Sequence, residues 1–355
     1  MKILCVQSGG PSPGSNPALA GALSACSDQC ELYGAIGGWL GLVEKRYARL
    51  NGTSPALLSA SPSPYLVTFR DKLEVERIIS SLEELPFDGL LVIGGEGSMA
   101  FLHSIRDKLK VPVVGIAKTI DNDLGPFHHD LGYPSSAEAV ADFFTRLAYD
   151  SSSYIGYVEA DVMQVMGRDA GWLTLASCLA AEAAPDIILL PELTYDLGEL
   201  LEEVRRAISR RKKALIAIAE GATVEGNKIV KAANYQRAGS ALALKEVLQE
   251  RGIRARFEWP GILYRCVEPN ERDKAEGIRL GKLAVKKLKE GTDCVMGPGE
   301  KGEPALVELD KARKRYVPPD FVEGFSVSNE GRSYLESVVS FKPRGWTRPL
   351  GFVSR

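Results

Sequence analysis

The chain has 355 residues, with 44 Lys and Arg against 46 Asp and Glu and a net charge of −2 at pH 7. That balance offers no basic field for nucleic acid, and no apolar run approaches the roughly 20 residues a membrane helix needs. Hydrophobic content of 45% and charged content of 25% are those of a soluble globular protein, long enough for two domains or one large one.

The N-terminus opens on a strand-like run and lacks the basic-then-apolar pattern of a secretory leader, so a cytoplasmic protein is expected. Buried strands are expected at 2–6, 88–93, 111–116, 154–159, 186–190 and 214–219. Helices are expected at 17–30, 71–85, 98–109, 135–149, 171–184, 196–211, 237–251 and 272–290. In the 71–85 stretch, Leu73, Ile78, Leu82 and Leu85 fall near one face. Residues 51–66, rich in Ser, Pro and Ala, read as a loop, and 291–324, with several Gly and Pro, as irregular. Alternating strands and helices predict an α/β fold with a parallel sheet covered on both faces. The six cysteines, Cys5, Cys26, Cys30, Cys178, Cys266 and Cys294, are scattered. Free thiols of a reducing compartment are expected of them, since no second pair or nearby histidine completes a zinc site around Cys26 and Cys30. Only three histidines exist, which argues against a multi-histidine metal centre. His128 and His129 read as part of a surface turn.

Three strand ends carry unusual chemistry. After the apolar run at 111–116 come Lys118, Thr119, Asp121 and Asp123, four polar side chains within six residues. In an open α/β sheet ligands bind outside the carboxyl ends of the strands. Carboxylates there can accept a substrate proton or hold a metal, and a lysine can meet phosphate. The run Asp-Gly-Leu-Leu-Val-Ile-Gly-Gly-Glu-Gly-Ser (88–98) ends in glycines before a helix-like stretch starting at Ser98. The third is Gln-Ser-Gly-Gly-Pro-Ser-Pro-Gly-Ser-Asn (7–16), following the first strand. Glycines let backbone N–H groups approach an anion, and a helix N-terminus adds partial positive charge. One such turn fits any α/β fold; three favour a phosphate-transfer site.

Further along stand Val-Met-Gly-Arg-Asp-Ala-Gly-Trp-Leu (165–173), Ala-Ile-Ala-Glu-Gly (217–221) and Pro-Gly-Ile-Leu-Tyr-Arg-Cys (260–266). With the three strand ends they make six ordered motifs, and through them the chain resembles the phosphofructokinase family of phosphoryl transferases over most of its length. Segments 165–192 and 260–266 look most like the branch that often uses pyrophosphate. The resemblance implies two Rossmann-like lobes with mainly parallel sheets and the active site in the cleft between them. It gives a donor-side lobe at 1–125, completed by part of 235–290, and a sugar-side lobe at 126–355 with an irregular C-terminal extension. It also implies a homodimer or homotetramer. The implied reaction is phosphoryl transfer from ATP, with Mg²⁺, to the 1-hydroxyl of fructose 6-phosphate, giving fructose 1,6-bisphosphate in glycolysis. Pyrophosphate as donor, or another sugar phosphate as acceptor, is the alternative.

Carried over position by position, the resemblance makes Asp121 the base that takes the hydroxyl proton. Asp123 orients the hydroxyl or a metal-bound water, Thr119 meets the acceptor or moving group, and Arg168 stabilises its charge. Donor phosphates fall to Gly10, Gly97, Ser98, Lys118 and Arg70. The substrate falls to Met166, Gly167, Glu220, Arg256 and Arg265, and Glu96 stands where the family usually has a magnesium-linked aspartate. The chain departs from the family pattern at Ile262, where many relatives have histidine, and at Glu159, where they have arginine. Gly97 leaves room for a nucleotide α-phosphate and favours ATP, whereas Lys118 is typical of pyrophosphate users. Two readings of other classes compete. A non-catalytic sugar-phosphate- or nucleotide-binding paralogue would be expected to lack Asp121, Asp123 or Arg168. A nicotinamide-dependent dehydrogenase would need Gly-x-Gly-x-x-Gly after the first strand, and 8–20 does not provide it.

Overall fold

The computed structural model describes residues 1–26, 29–69, 73–84, 86–153, 156–225 and 239–341. They form two compact units. The first comprises Met1–Ser136 and Arg265–Arg315, the second Ala137–Tyr264 and Tyr316–Arg355. The sequence reading instead ended the first lobe at 125 and drew its returning segment from 235–290.

The first unit is built on a seven-stranded sheet. Its spatial order is Pro304–Val307, Cys294–Pro298, Val113–Ala117, Gly89–Gly94, Lys2–Gln7, Glu31–Ala35 and Tyr47–Arg49. The five inner strands run parallel, and each edge strand is antiparallel to its neighbour. Strand residues alternate in direction, and here both directions are apolar. Ile3, Cys5, Leu91, Ile93, Val114 and Ile116 join one core with the helices Ser15–Ala25 and Glu271–Lys289. Leu4, Val6, Leu90, Val92 and Val113 join another with the helices Val75–Glu83 and Glu96–Ile105. Burial on both faces explains the uninterrupted apolar runs.

The second unit holds a four-stranded, all-parallel sheet in the order Ala255–Glu258, Ala160–Val165, Ala214–Ala219 and Ile187–Leu189. Its core also draws on Leu200, Leu201, Val204, Leu244 and Leu248 from the helices Leu197–Arg211 and Gly239–Glu250. Mainly parallel α/β architecture is as expected.

Several expected elements move. The strand placed at 154–159 lies at Ala160–Val165. Buried Asp161 and Gln164 interrupt its apolar pattern, and each has a partner: Arg256 for Asp161, and the Ala241 N–H for Gln164. The segment read as irregular contributes the strands Cys294–Pro298 and Pro304–Val307 to the first sheet. Within the expected loop 51–66, Ser54 caps a short helix, Pro55–Ala60, that has proline in its first turn. Cys26 and Cys30 are joined as a disulfide, where free thiols were expected; Cys5, Cys178 and Cys294 are buried free thiols and Cys266 an exposed one. Among the described residues no helix is long and apolar enough to cross a membrane.

Candidate active site

Three strand ends come together in the first unit because the parallel register aligns them. Gln7 pairs with Ile93 and Gly94 with Ala117, so the turns at 8–10, 94–98 and 118–123 emerge side by side. The strand after Lys2–Gln7 lies on one side of it and Gly89–Gly94 on the other, which makes this a topological switch point, where open sheets bind ligands. The Ser8 N–H donates to Ile93 O and the Lys118 N–H to Gly94 O, both at 2.9 Å. Ser98 Oγ and Trp39 Nε1 each donate to Ser8 Oγ at 2.9 Å.

The helix after the second turn begins at Glu96, with Gly95 as its cap, two residues before the expected start. Gly97 and Ser98 therefore lie in its first turn, at the end that favours negative charge. A Cβ added at Gly97 would meet no described atom within 4 Å. Lys118 is only 2 % exposed, and its ammonium donates to Ser8 O and Gly10 O, each at 2.9 Å. It cross-links the base of the first glycine-rich turn. Arg265, from the returning segment, reaches the same turn: a Cβ on Gly10 would lie 3.8 Å from its Nη1. Arg265 Nε is buried with no hydrogen-bond partner among the described residues.

The third turn carries the carboxylates. Thr119 Oγ1 accepts from the Asp121 N–H at 3.1 Å, which folds the chain back at the strand end. Asn122 has φ +55°, a left-handed conformation that asparagine tolerates better than most residues. Burial, then the negative charge of Asp121, push the Asp123 carboxyl up to about 7; Glu96 adds to the rise and Lys314 opposes it. Glu96, Asp121 and Asp123 thus form one acidic group with oxygen donors suited to a hard cation. No set of three or more histidine, cysteine or carboxylate residues with metal-holding geometry occurs among the described residues. A cation here would complete its shell with water and phosphate oxygens.

Behind this turn lies a polar layer, buried in part, that no local sequence pattern marks beyond Asn122. Arg315 donates from Nε to Asn122 O at 2.7 Å, and from Nη1 to Phe127 O at 2.6 Å and His128 O at 3.0 Å. Its Nη2 donates to Asn122 Oδ1. Asp130, wholly buried, accepts from the Leu124 N–H at 3.0 Å, and burial pushes its carboxyl up to about 7. Asp273 accepts from the Gly132 N–H at 2.6 Å and the Ser135 N–H at 3.0 Å. His129 is not on a surface turn: it is buried, with Nε2 2.7 Å from Glu276 Oε2. His128 is half-buried, and burial lowers its pKa. Only Asn122, inside the Asp-Asn-Asp run, carried a local signal.

In the second unit, Met166–Arg168 follow one strand and Glu220 follows its neighbour. The Glu220 N–H donates to Val165 O at 2.9 Å and the Gly221 N–H to Gly167 O at 3.1 Å. Gly167 has φ +140°, and a Cβ at Gly221 would lie 1.8 Å from Arg168 O, so this close turn needs glycine at both places. The Met166 N–H donates to the buried Tyr264 hydroxyl at 2.6 Å, and Glu192 accepts from the Gly171 and Val317 N–H groups. Arg168 stays 61 % exposed at its side chain and lies 3.3 Å from Asp169. Burial raises the Glu220 pKa, and the Arg168 charge opposes the rise.

Arg256 is elsewhere in that unit. It pairs in register with Asp161, near the start of the strand Ala160–Val165, about 13 Å from that strand's carboxyl end at ~3.3 Å per residue. Its guanidinium is bound by Asp161 and Asp150. Glu159 accepts from the Arg254 N–H at 3.0 Å and pairs with its side chain. Arg70 lies outside the described residues.

Comparisons with known proteins give the family. A family model described as Phosphofructokinase matches residues 2–288. The chain belongs to the phosphofructokinase family. It is an enzyme of phosphofructokinase type, a phosphotransferase. It is 31% identical to a pyrophosphate–fructose 6-phosphate 1-phosphotransferase of Dictyoglomus thermophilum, over 91% of this chain and 97% of that protein. It is 26% identical to a sulfofructose kinase of Alkalicoccus urumqiensis, covering 97% of both chains. An ATP-dependent 6-phosphofructokinase of Persephonella marina is also 26% identical, over 92% of this chain and 98% of that one. The crystal structure of a pyrophosphate-dependent phosphofructokinase from Marinobacter aquaeolei superposes with a TM-score of 0.83. At 22% identity, covering 96% of this chain and 92% of that one, it is a likeness of fold.

Proposed function

We propose that this phosphofructokinase-family enzyme transfers the γ-phosphoryl group of ATP to the 1-hydroxyl of fructose 6-phosphate, a glycolytic step in the cytoplasm. The observation that carries the choice of donor is that no described atom stands within 4 Å of a Cβ placed on Gly97, in the first turn of a helix at the strand-end cluster. A nucleotide needs room for its α-phosphate and pyrophosphate does not.

In this reading Ser8–Gly10 and the first turn of Glu96–Ile105 receive the donor phosphates. Asp121 takes the proton of the sugar hydroxyl as the oxygen attacks phosphorus, the bond to the bridging oxygen breaks, and ADP leaves with that electron pair. Arg168 is assigned the charge on the transferred group, and Glu220 the sugar hydroxyls. Arg265, beside Gly10, is assigned a phosphate. Glu96 is the side chain that would hold a magnesium ion, with Asp123 meeting it through water and phosphate oxygens completing the shell, since no three of these groups have metal-holding geometry among the described residues. That ion would neutralise phosphate charge that the acidic group cannot. A homodimer or homotetramer is part of the proposal.

Pyrophosphate is the second reading. It is favoured by the presence of Lys118 beneath the first turn and by the name of the Dictyoglomus relative. Purified protein with Mg²⁺ and fructose 6-phosphate, assayed with ATP and pyrophosphate in parallel, separates the two. ATP is expected to support turnover. Gly97→Asp, which adds bulk and negative charge beside the α-phosphate, is expected to abolish ATP activity while sparing any pyrophosphate activity. Wild-type turnover with pyrophosphate alone would reverse the assignment. Sulfofructose belongs in the same acceptor panel, because Arg256 is engaged by two carboxylates and the residue at 159 is acidic.

A further inference from the structure

Arg315 makes more contacts to the carboxylate-bearing turn than any local sequence signal foretold. Its side chain donates to Asn122 O, Phe127 O, His128 O and Asn122 Oδ1, and its own N–H donates to Asp123 O at 2.8 Å. These acceptors lie on both sides of Asp123 in sequence. Immediately before it, Arg313 and Lys314 pair antiparallel with Gly125 and Leu124. One residue thus anchors the strand beside the turn and fills the turn from behind.

We propose that Arg315 is a positioning residue for phosphoryl transfer, setting where the Asp121 and Asp123 carboxylates stand. The proposal rests on the reading that this turn carries the reaction. A guanidinium holds its donors in one rigid plane, so acceptors at fixed angles around it are fixed relative to each other. An ammonium at the same place is a single point of charge with no planar fork. The left-handed Asn122, between the two aspartates, is tied at both its carbonyl and its amide oxygen. Loss of the guanidinium releases that residue first. Misplacement by about 1 Å costs on the order of 10²-fold in rate.

The test uses the full-length enzyme with ATP, Mg²⁺ and fructose 6-phosphate. Arg315→Ala is expected to lower kcat about 10²-fold with little change in KM for ATP, and added guanidinium ion is expected to recover part of the rate. Arg315→Lys is expected to stay impaired. Arg313→Ala is the control: that exposed side chain donates to Asp310 O at 3.2 Å, and wild-type turnover is expected. Hydrogen exchange of amides 122–130 is expected to speed up in Arg315→Ala at an unchanged unfolding temperature. Exchange is read without turnover, so a wild-type protein inactive on every acceptor would refute the proposed function while the amides still judge the clamp. Wild-type kcat in Arg315→Ala would overturn the proposal. So would loss of rate that accompanies global unfolding in both Arg315 variants, since the residue would then be only a structural support.

Discussion

Burial and the charge of Asp121 act on Asp123 in one direction, with Glu96 adding to them, and Lys314 acts in the other. The neighbouring carboxylates share their titration, so the acid side of the rate profile reports the pair. A carboxyl raised to about 7 is neutral below that pH, and a neutral Asp123 loses the charge with which it is assigned to orient the sugar hydroxyl or a metal-bound water beside the base Asp121. Activity is therefore expected to rise with pH through the neutral range. Lys314→Met removes the cation that holds the pKa down. The acid limb of kcat/KM should then move to higher pH, at fixed saturating Mg²⁺. An acid limb that stays put would show that Lys314 does not act on the pair. The sequence marks Lys118 as a phosphate contact, and its ammonium also donates to the carbonyls of Ser8 and Gly10.

The helices Ser15–Ala25 and Glu271–Lys289 are far apart in sequence and pack at the distance that glycine allows. A Cβ at Gly21 would lie 2.2 Å from Ile278 O, and one at Gly281 would lie 2.0 Å from Ala18 O. Both neighbours are backbone and cannot turn aside. Gly281→Ala is expected to destabilise the fold by about 1–3 kcal/mol, the usual cost of overpacking, read as a lower midpoint in chemical denaturation. An unchanged midpoint would mean that the helices separate freely. The first helix follows the glycine-rich turn at 8–10, so the same variant is a probe of how that turn is held. Other elements teach a different lesson. The strand Ala160–Val165 was misplaced in sequence because Asp161 and Gln164 look like solvent residues until Arg256 and the Ala241 N–H are seen beside them.

Each unit is assembled from two stretches of the described chain, and the first shows why neither stretch suffices. Its core on one sheet face contains Leu280, Ala284, Val285 and Leu288 from the returning segment, together with Cys294 and Met296. A fragment of residues 1–136 would expose Leu19, Leu91 and Ile93 to water on that face. It would also leave Val113–Ala117 as an open sheet edge, prone to pairing between molecules. Such a fragment is expected to aggregate, or to unfold without a cooperative transition. Supplying 265–315 through a linker is expected to restore one. Cooperative unfolding of 1–136 by itself would contradict this account of the core.

Residue order alone determined the fold class, because long apolar runs between amphipathic segments can be buried only as a parallel sheet covered by helices. It also determined which residues stand at the strand ends, because Gly-rich turns, Lys118, Thr119, Asp121 and Asp123 are local in sequence and local in space. Only the tertiary structure decided what stands behind those turns. Arg315 lies 193 positions after Asn122, Glu276 lies 147 after His129, and Asp273 lies 138 after Ser135. No local pattern announces a partner that arrives from a distant strand or helix. The difference is physical: burial of apolar surface follows a periodicity readable in any short window, whereas a buried polar group is satisfied by whichever element folds against it.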